Sequence, residues 1–473
     1  MRSTRSALLF CVLLSSAISA GTRAQQPVPP DPTAESRAAV THSLEIARGF
    51  MKEDRYLEAL EIAESAVKAW PGHAPAQVVL ADALYRKGDF SDAEAGYRRA
   101  VEMDPNLAEA HFGVGRILRT LGRYGDAAES FSRAAALAPL VPKYLRTLAN
   151  HLARREDSLS MLRRYLELVR SDPSHGEEEI IVRNTEAWIT LLESLGERPL
   201  SEMARAEPCS LPLSVVRGQP YLKISVAGLK NQRFVFDTGA TGITVSPRIA
   251  ARAKLVPIRP FTIVGTGSKR TETGDLVLVP EISLGEGIVL RNVPATVREP
   301  LGLEEGLIGP SLFASFDITV DLHRGRLTFD RPGPTRVGRA EAFRNVGGQI
   351  MMTSALDGVR LNSMLDTGST ATLIGKSSLG RVPTLRTLPA RYTGGATVGI
   401  GGMLAEQKAL MEGTFSLAGR DYPAGGMPTG DLSGFSRALE SEVYVIVGTR
   451  HLDDTVFTID YRRMTVTFSP RSP

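Results

Sequence analysis

Phe234-Val235-Phe236-Asp237-Thr238-Gly239-Ala240 and Ser363-Met364-Leu365-Asp366-Thr367-Gly368-Ser369 are two versions of one stretch, set 129 positions apart. In each, an apolar run delivers Asp-Thr-Gly. The run reads as a buried strand that carries the Asp inward. The Gly lets the backbone turn sharply with another backbone close by, and the Thr offers a hydroxyl to the opposite loop. Two Asp presented face to face cannot both ionise cheaply. They share a proton, hold one water between them, and serve as general base and general acid at once. One Asp-Thr-Gly arises by chance in roughly one chain in ten of this length; two, each inside a longer repeated frame, do not.

The frame extends on both sides. Gly218 and Gly347 each lie 19 residues before their Asp. Downstream, Leu307-Ile308-Gly309 leads to Phe316-Asp317-Ile318-Thr319-Val320-Asp321, a short turn, and Leu327-Thr328-Phe329. At an offset of 139, Ile446-Val447-Gly448 leads to Thr455-Val456-Phe457-Thr458-Ile459-Asp460 and Val466-Thr467-Phe468. Alternating apolar residues around a tight turn read as a hairpin, so each half is expected to be one β lobe, residues 212–330 and 345–473, joined by a linker at 331–344. Each lobe also has a glycine-bearing stretch between Asp loop and hairpin, with Gly265, Thr266 and Gly267 in one and Ile400, Gly401 and Gly402 in the other. Glycines among strand formers suit a hairpin tip that folds over an extended peptide and excludes water. They do not match the G-x-x-x-x-G-K-[ST] pattern of a phosphate loop.

With these motifs in this order, residues 212–470 resemble a tandem, single-chain version of the retropepsin-like aspartic proteases. The resemblance implies an all-β bilobal fold with Asp237 and Asp366 as the catalytic dyad. Thr238 and Thr367 would be the interlocking hydroxyls, Gly239 and Gly368 the turn glycines, and the two glycine-bearing stretches the flaps. Retroviral members follow the loop with an Asp that pairs an Arg after the later apolar-apolar-Gly. Here those places hold Thr241 and Pro310, and Thr370 and Thr449. Ala240 against Ser369 is a further asymmetry. The Ser369 hydroxyl is expected to stabilise ionised Asp366, leaving Asp237 to hold the proton.

The first part of the chain has a different period. Tyr56, Phe90 and Tyr124 recur every 34 residues, as do Ala59, Ala93 and Ala127, Ala66, Ala100 and Ala134, and Pro71, Pro105, Pro139 and Pro173. This resembles tetratricopeptide repeats, in which small alanines let paired helices approach, aromatics fill the gaps and Pro ends each second helix. Units are expected at about 40–73, 74–107 and 108–141, with a degenerate one at 142–175 and a capping helix at 176–197. Together they form an all-α solenoid over 39–197. Residues 198–211, with Pro199 and Pro208, read as the linker to the protease. The solenoid implies a concave surface for protein partners. It is expected to be dispensable for the chemistry, so a chain starting near Ser210 should still cleave small peptides.

Residues 1–24 read as a secretory signal peptide, with Arg2 and Arg5, an apolar stretch from Ala7 to Leu14 and cleavage after Ala20 or Ala24. Residues 25–38, rich in Pro, read as a flexible leader. Cleavage would remove Arg2, Arg5 and Arg23 and take the formal charge from +4 to about +1, which removes the basis for a nucleic-acid partner. No stable membrane span is expected. Only Cys209 would remain of two cysteines, so no intramolecular disulfide is available. The seven histidines show no metal-ligand spacing, and no metal or cofactor is expected. The expected function is an exported, periplasmic or extracellular, aspartic endopeptidase acting on peptide or protein substrates, with the repeat arm recruiting partners. The alternative is a non-catalytic peptide-binding or scaffold protein with a vestigial protease fold.

Overall fold

The structure is a computed structural model that describes residues 33–172, 178–264, 271–299, 302, 304–334, 336–389, 398–399, 402–403 and 408–470. The signal-peptide expectation for 1–24, the leader expectation as far as 32, and the stretches containing Gly265, Thr266 and Gly267 and Ile400 and Gly401 lie outside the described residues; the rest of the expected leader is not flexible, because from Ala34 to Ala38 it forms the first turns of a helix capped by the Thr33 hydroxyl.

The 34-residue period is a stack of antiparallel helix pairs. They are α1 (Ala34–Lys52) and α2 (Tyr56–Ala69), α3 (Ala74–Lys87) and α4 (Phe90–Met103), α5 (Ala108–Thr120) and α6 (Tyr124–Leu137), then α7 (Pro142–Ala149) and α8 (Arg155–Ser171). A further helix, α9 (Glu179–Ser194), closes the stack. The periodic alanines Ala59, Ala93 and Ala127 are wholly buried, as close helix packing demands. Tyr97 fills the space that a side chain on Gly113 would need, since a Cβ there would sit 2.1 Å from its ring. Of the three periodic aromatics, Tyr56 and Phe90 are buried, whereas Tyr124 is half exposed and its hydroxyl accepts from Asn345 Nδ2 at 2.9 Å.

Each Asp loop ends a central strand. Leu229–Phe236 lies between antiparallel Gln219–Val226 and parallel Gly306–Ile308. Val359–Leu365 lies in the same way between Gln349–Leu356 and Val445–Val447. The apolar-apolar-Gly segments are thus the parallel neighbours that wall in the Asp strands, and such strands are apolar on both faces. The two repeated hairpins meet in a third sheet, where Asp317–Asp321 pairs with Thr455–Asp460 in continuous register from Asp317↔Asp460 to Asp321↔Val456. Thr319 and Thr458 join hydroxyls across that seam at 2.9 Å. One apolar core runs through both lobes and the shared sheet.

The stretch 198–211 carries two strands. Glu202–Ala206 pairs with Ile288–Val297, and Cys209–Pro212 pairs with Arg326–Asp330. Within 331–344, Arg339–Ala342 pairs with Thr465–Pro470. The two connections are therefore not free linkers: Glu202–Ala206 edges the sheet of lobe one, and Cys209–Pro212 and Arg339–Ala342 form the two edges of the shared third sheet.

The arm packs along both lobes. Val346, Met351, Met364, Leu373, Leu432, Phe435, Val443 and Ile446 of lobe two share one buried cluster with Val78, Tyr85, Phe90 and Ile117 of α3, α4 and α5. On lobe one, Leu276 joins the cluster of α5 to α9, with Ile258, Phe261 and Leu278 packed against it. Asn184 of α9 makes two amide bonds with the backbone of edge strand Pro257–Val264, donating to Thr262 O at 2.8 Å and accepting from Thr262 N at 2.9 Å. Polar cover of this kind blunts an open edge. The arm is not the separable appendage that the absence of catalytic patterns within it suggested, because its apolar residues complete the burial of both lobes.

Candidate active site

Thr238 and Thr367 lock the two Asp loops together. The Thr238 backbone N–H donates to Thr367 Oγ1 at 3.0 Å, and the Thr367 N–H donates to Thr238 Oγ1 at 2.9 Å. Each hydroxyl then donates to the carbonyl just before the opposite Asp, Thr238 to Leu365 O at 2.9 Å and Thr367 to Phe236 O at 2.6 Å. Both threonines are fully buried, and in a dry interior four mutually satisfied bonds fix the loops firmly.

The lock brings Asp237 and Asp366 together on either side of the turn glycines, close enough that each carboxyl feels the charge of the other. The Gly239 N–H donates to Asp237 Oδ1 at 2.8 Å. Asp366 Oδ1 accepts from Gly368 N at 2.9 Å and Ser369 N at 3.1 Å. The turn glycines are required by proximity: a Cβ on Gly368 would lie 2.6 Å from Asp237 Cγ, and one on Gly239 would lie 2.7 Å from Asp366 Cγ.

Burial raises both carboxyls above the usual carboxylate range. Asp366 is pushed well above it, because the charge of Asp237 adds to burial. At Asp237 the rise is opposed by the neighbouring Asp366 carboxyl, by backbone N–H groups and by the charge of Arg298. The two carboxyls titrate as one pair, so the shared proton belongs to the dyad rather than to either residue. The help expected from the Ser369 side chain is absent: its hydroxyl donates to Ala371 O at 2.8 Å, and Ser369 serves Asp366 only through its backbone N–H. Arg298, buried at the end of strand Ile288–Val297, is a contributor that no motif marks.

Residues two positions before each Asp share its face of the strand. In lobe one, Val235 stands in register with Tyr221 and Leu307, and the three form a small buried apolar cluster against Ala240. In lobe two, Met364 stands in register with Met351 and Ile446. That second triplet belongs to the cluster shared with the arm. Of the expected flap residues only Gly402 is described, in a two-strand ladder that pairs it with Gly399. The Cys209 thiol is half-buried in its edge strand and pushed up by burial, which makes it a poor nucleophile.

Similarity to known proteins accords with this architecture. The tetratricopeptide repeat family matches residues 44–108 and 79–142, and the aspartyl protease family matches residues 222–312, which contain the Asp237 loop. The chain carries tetratricopeptide repeats followed by an aspartyl protease domain. Among solved structures it is similar to a mutant O-GlcNAc transferase of Thermobaculum terrenum, at 20% identity over 30% of this chain and 27% of that one, with a TM-score of 0.26. It is also similar to MamA, at 17% identity over 28% and 81% of the two chains with a TM-score of 0.25. A third is pilF of Pseudomonas aeruginosa, at 19% identity over 34% and 71% with a TM-score of 0.29. The chain spans about a quarter of the length of the transferase it matches. No curated protein matches it.

Proposed function

We propose that this chain, an aspartyl protease domain behind a tetratricopeptide arm, is an exported aspartic endopeptidase whose dyad takes one Asp from each lobe. The observation that carries the reading is the reciprocal threonine lock, with each turn glycine packed against the carboxyl of the opposite loop. A water held between the carboxyls would give its proton to Asp237 as its oxygen attacks the scissile carbonyl carbon. Asp366 would give its proton to the carbonyl oxygen. The tetrahedral diol then collapses: the C–N bond breaks as the proton on Asp237 passes to the departing nitrogen, and one hydroxyl returns its proton to Asp366 as the C=O bond re-forms. All proton transfers use these two side chains, so the chemistry calls for no cofactor.

The test is cleavage of a diverse peptide library at mildly acid pH by the mature chain and by Asp237→Asn and Asp366→Asn. Wild type should cut, and each variant should be folded and inactive. An uncut library, or one single variant with near-full activity in a monomeric protein, refutes the shared site. Export is supported by the sequence of residues 1–24; protein isolated from its native host should begin at Gly21 or Gln25 and fractionate outside the cytoplasm, and a cytoplasmic, uncleaved chain refutes it. Recruitment of protein partners, also part of this proposal, would use arm surface away from the α3 to α5 residues already packed on lobe two.

A further inference from the structure

Gln219 and Gln349 occupy equivalent places that the sequence repeat conceals. Each begins a strand after a two-residue turn with both turn residues in the left-handed region, Arg217 and Gly218 at φ 52° and 82°, and Gly347 and Gly348 at φ 60° and 90°. This is the backbone of a tight hairpin turn whose twist matches its strands. The structural counterpart of Gly218 is therefore Gly348 rather than Gly347, at an offset of 130. The Asp residues are offset by 129 because a β-bulge lengthens the Asp strand of lobe one by one residue near Asn231, itself left-handed at φ 56°.

Both turns lean on the other lobe. A Cβ on Gly218 would lie 3.3 Å from Thr370 Cγ2 and from Thr449 Oγ1, and one on Gly348 would lie 2.6 Å from Thr241 Cγ2. From these turns the two amides cross the seam. Gln219 Nε2 donates to Gly368 O at 2.9 Å, and Gln349 Nε2 donates to Gly239 O at 2.8 Å. The accepting carbonyls belong to the two glycines packed against the opposing carboxyls. The amide orientation follows from chemistry, since a carbonyl partner can only accept.

We infer that Gln219 and Gln349 form a reciprocal clasp that sets the separation of the two Asp loops, and are positioning residues for the reaction. The inference rests on the endopeptidase reading. The threonine lock ties the loops before and at each Thr; the clasp ties the residue after it, from the other lobe. The clasp is also uneven. Gln219 Oε1 accepts from the Tyr221 hydroxyl at 2.9 Å. The corresponding place in lobe two is Met351, and Gln349 Oε1 is buried without a hydrogen-bond partner. Gln349 is held by its donor alone, so its loss should matter more.

The test compares the mature chain with Gln219→Leu, Gln349→Leu and Gln349→Glu. In the Leu variants kcat should fall, toward about a hundredfold for Gln349→Leu if the loops part by about 1 Å, while KM changes little. The alkaline limb of the pH profile should move to lower pH, because each carboxylate raises its neighbour less as they separate. Gln349→Glu should recover activity only at the acid end, where a protonated carboxyl can donate to Gly239 O. A merely stabilising role would lower the melting temperature of all three and leave the limbs in place. One readout needs no substrate: the difference in melting temperature between Gln349→Leu and Gln349→Leu/Asp366→Asn, followed against pH, tracks the proton on the dyad. Its midpoint should fall below that of the wild-type and Asp366→Asn pair. If wild type cuts no peptide but this midpoint moves, the endopeptidase reading fails and the clasp stands. If the midpoint and kcat are unchanged, the clasp is wrong. Should Gln349→Leu not fold, the same comparisons on Gln219→Leu and Gln349→Glu decide.

Discussion

Replacing Arg116 with Met should loosen the arm from lobe two and destabilise the protein by about 2 kcal/mol. Arg116 lies on α5 with 8% of its side chain exposed, Nη1 3.1 Å from Asp82 Oδ1 and Nη2 3.1 Å from Glu440 Oε2 of lobe two. The Glu440 contact lies off the N–H directions and is ionic in character. The guanidinium also stacks 3.8 Å from the Tyr85 ring centroid. Removing one partner of a fully buried pair costs about 3–5 kcal/mol. The loss here is smaller, because the acids keep 31% and 54% of their side chains in water and Asp82 retains the Tyr97 hydroxyl at 2.5 Å. The charge of Arg116 holds the Glu440 carboxyl down at about 2, but a half-exposed partner is screened, so the coupling between Arg116→Met and Glu440→Gln should be about 1 kcal/mol. Both tryptophans, Trp70 and Trp188, lie in the arm. Their fluorescence in a urea titration therefore reports the arm, while retained peptide cleavage reports the lobes. In wild type the two transitions should coincide, and in Arg116→Met the fluorescence transition should move to lower urea. Separate transitions in wild type, unaffected by the substitution, would refute the view that arm and lobes unfold as one unit.

Thr367→Val keeps shape but strands the Thr238 N–H and the Phe236 carbonyl in the interior, at about 1–3 kcal/mol for each; thermal unfolding should show the loss and Thr367→Ser should restore most of it, whereas a silent Val variant would contradict the lock. Asp366→Asn should change the pH dependence of stability. A carboxyl raised in the folded state contributes stability that is fully present below its unfolded value of about 3.9 and lost as pH rises through the folded value. The melting temperature of wild type minus that of the Asn variant should therefore fall as pH is raised from about 4, and a flat or rising difference would place Asp366 outside the buried pair.

The features that sequence makes legible are those whose residue type is forced locally. Asp-Thr-Gly after an apolar run, a hairpin's alternation and a 34-residue period each follow from backbone geometry within a few residues. The pairing of Glu202–Ala206 with Ile288–Val297 is not legible, because Glu-Met-Ala-Arg-Ala has neither alternation nor β-branched residues and gains its strand form from its partner. Met351, Met364 and Ile446 read as lobe core, and nothing in their periodicity distinguishes a face buried by the lobe from one shared with another module. The glutamine pair escapes because the one-residue bulge near Asn231 shifts it out of the register set by the Asp residues. The Ser369 expectation fails for a related reason: adjacency in sequence gives the hydroxyl a nearby carboxylate, but the turn aims it at Ala371.

The seam between Asp317–Asp321 and Thr455–Asp460 lies within one polypeptide. A protease assembled from two separate copies loses its active centre on dilution; here the two halves stay at fixed stoichiometry however scarce the protein becomes. It also frees the halves to diverge. A substitution in a homodimer is always made twice, at both sides of the centre, whereas this chain can place Tyr221 on one side and Met351 on the other and give a helical arm one docking mode on each lobe. The consequence is a candidate site that can evolve unequal ends.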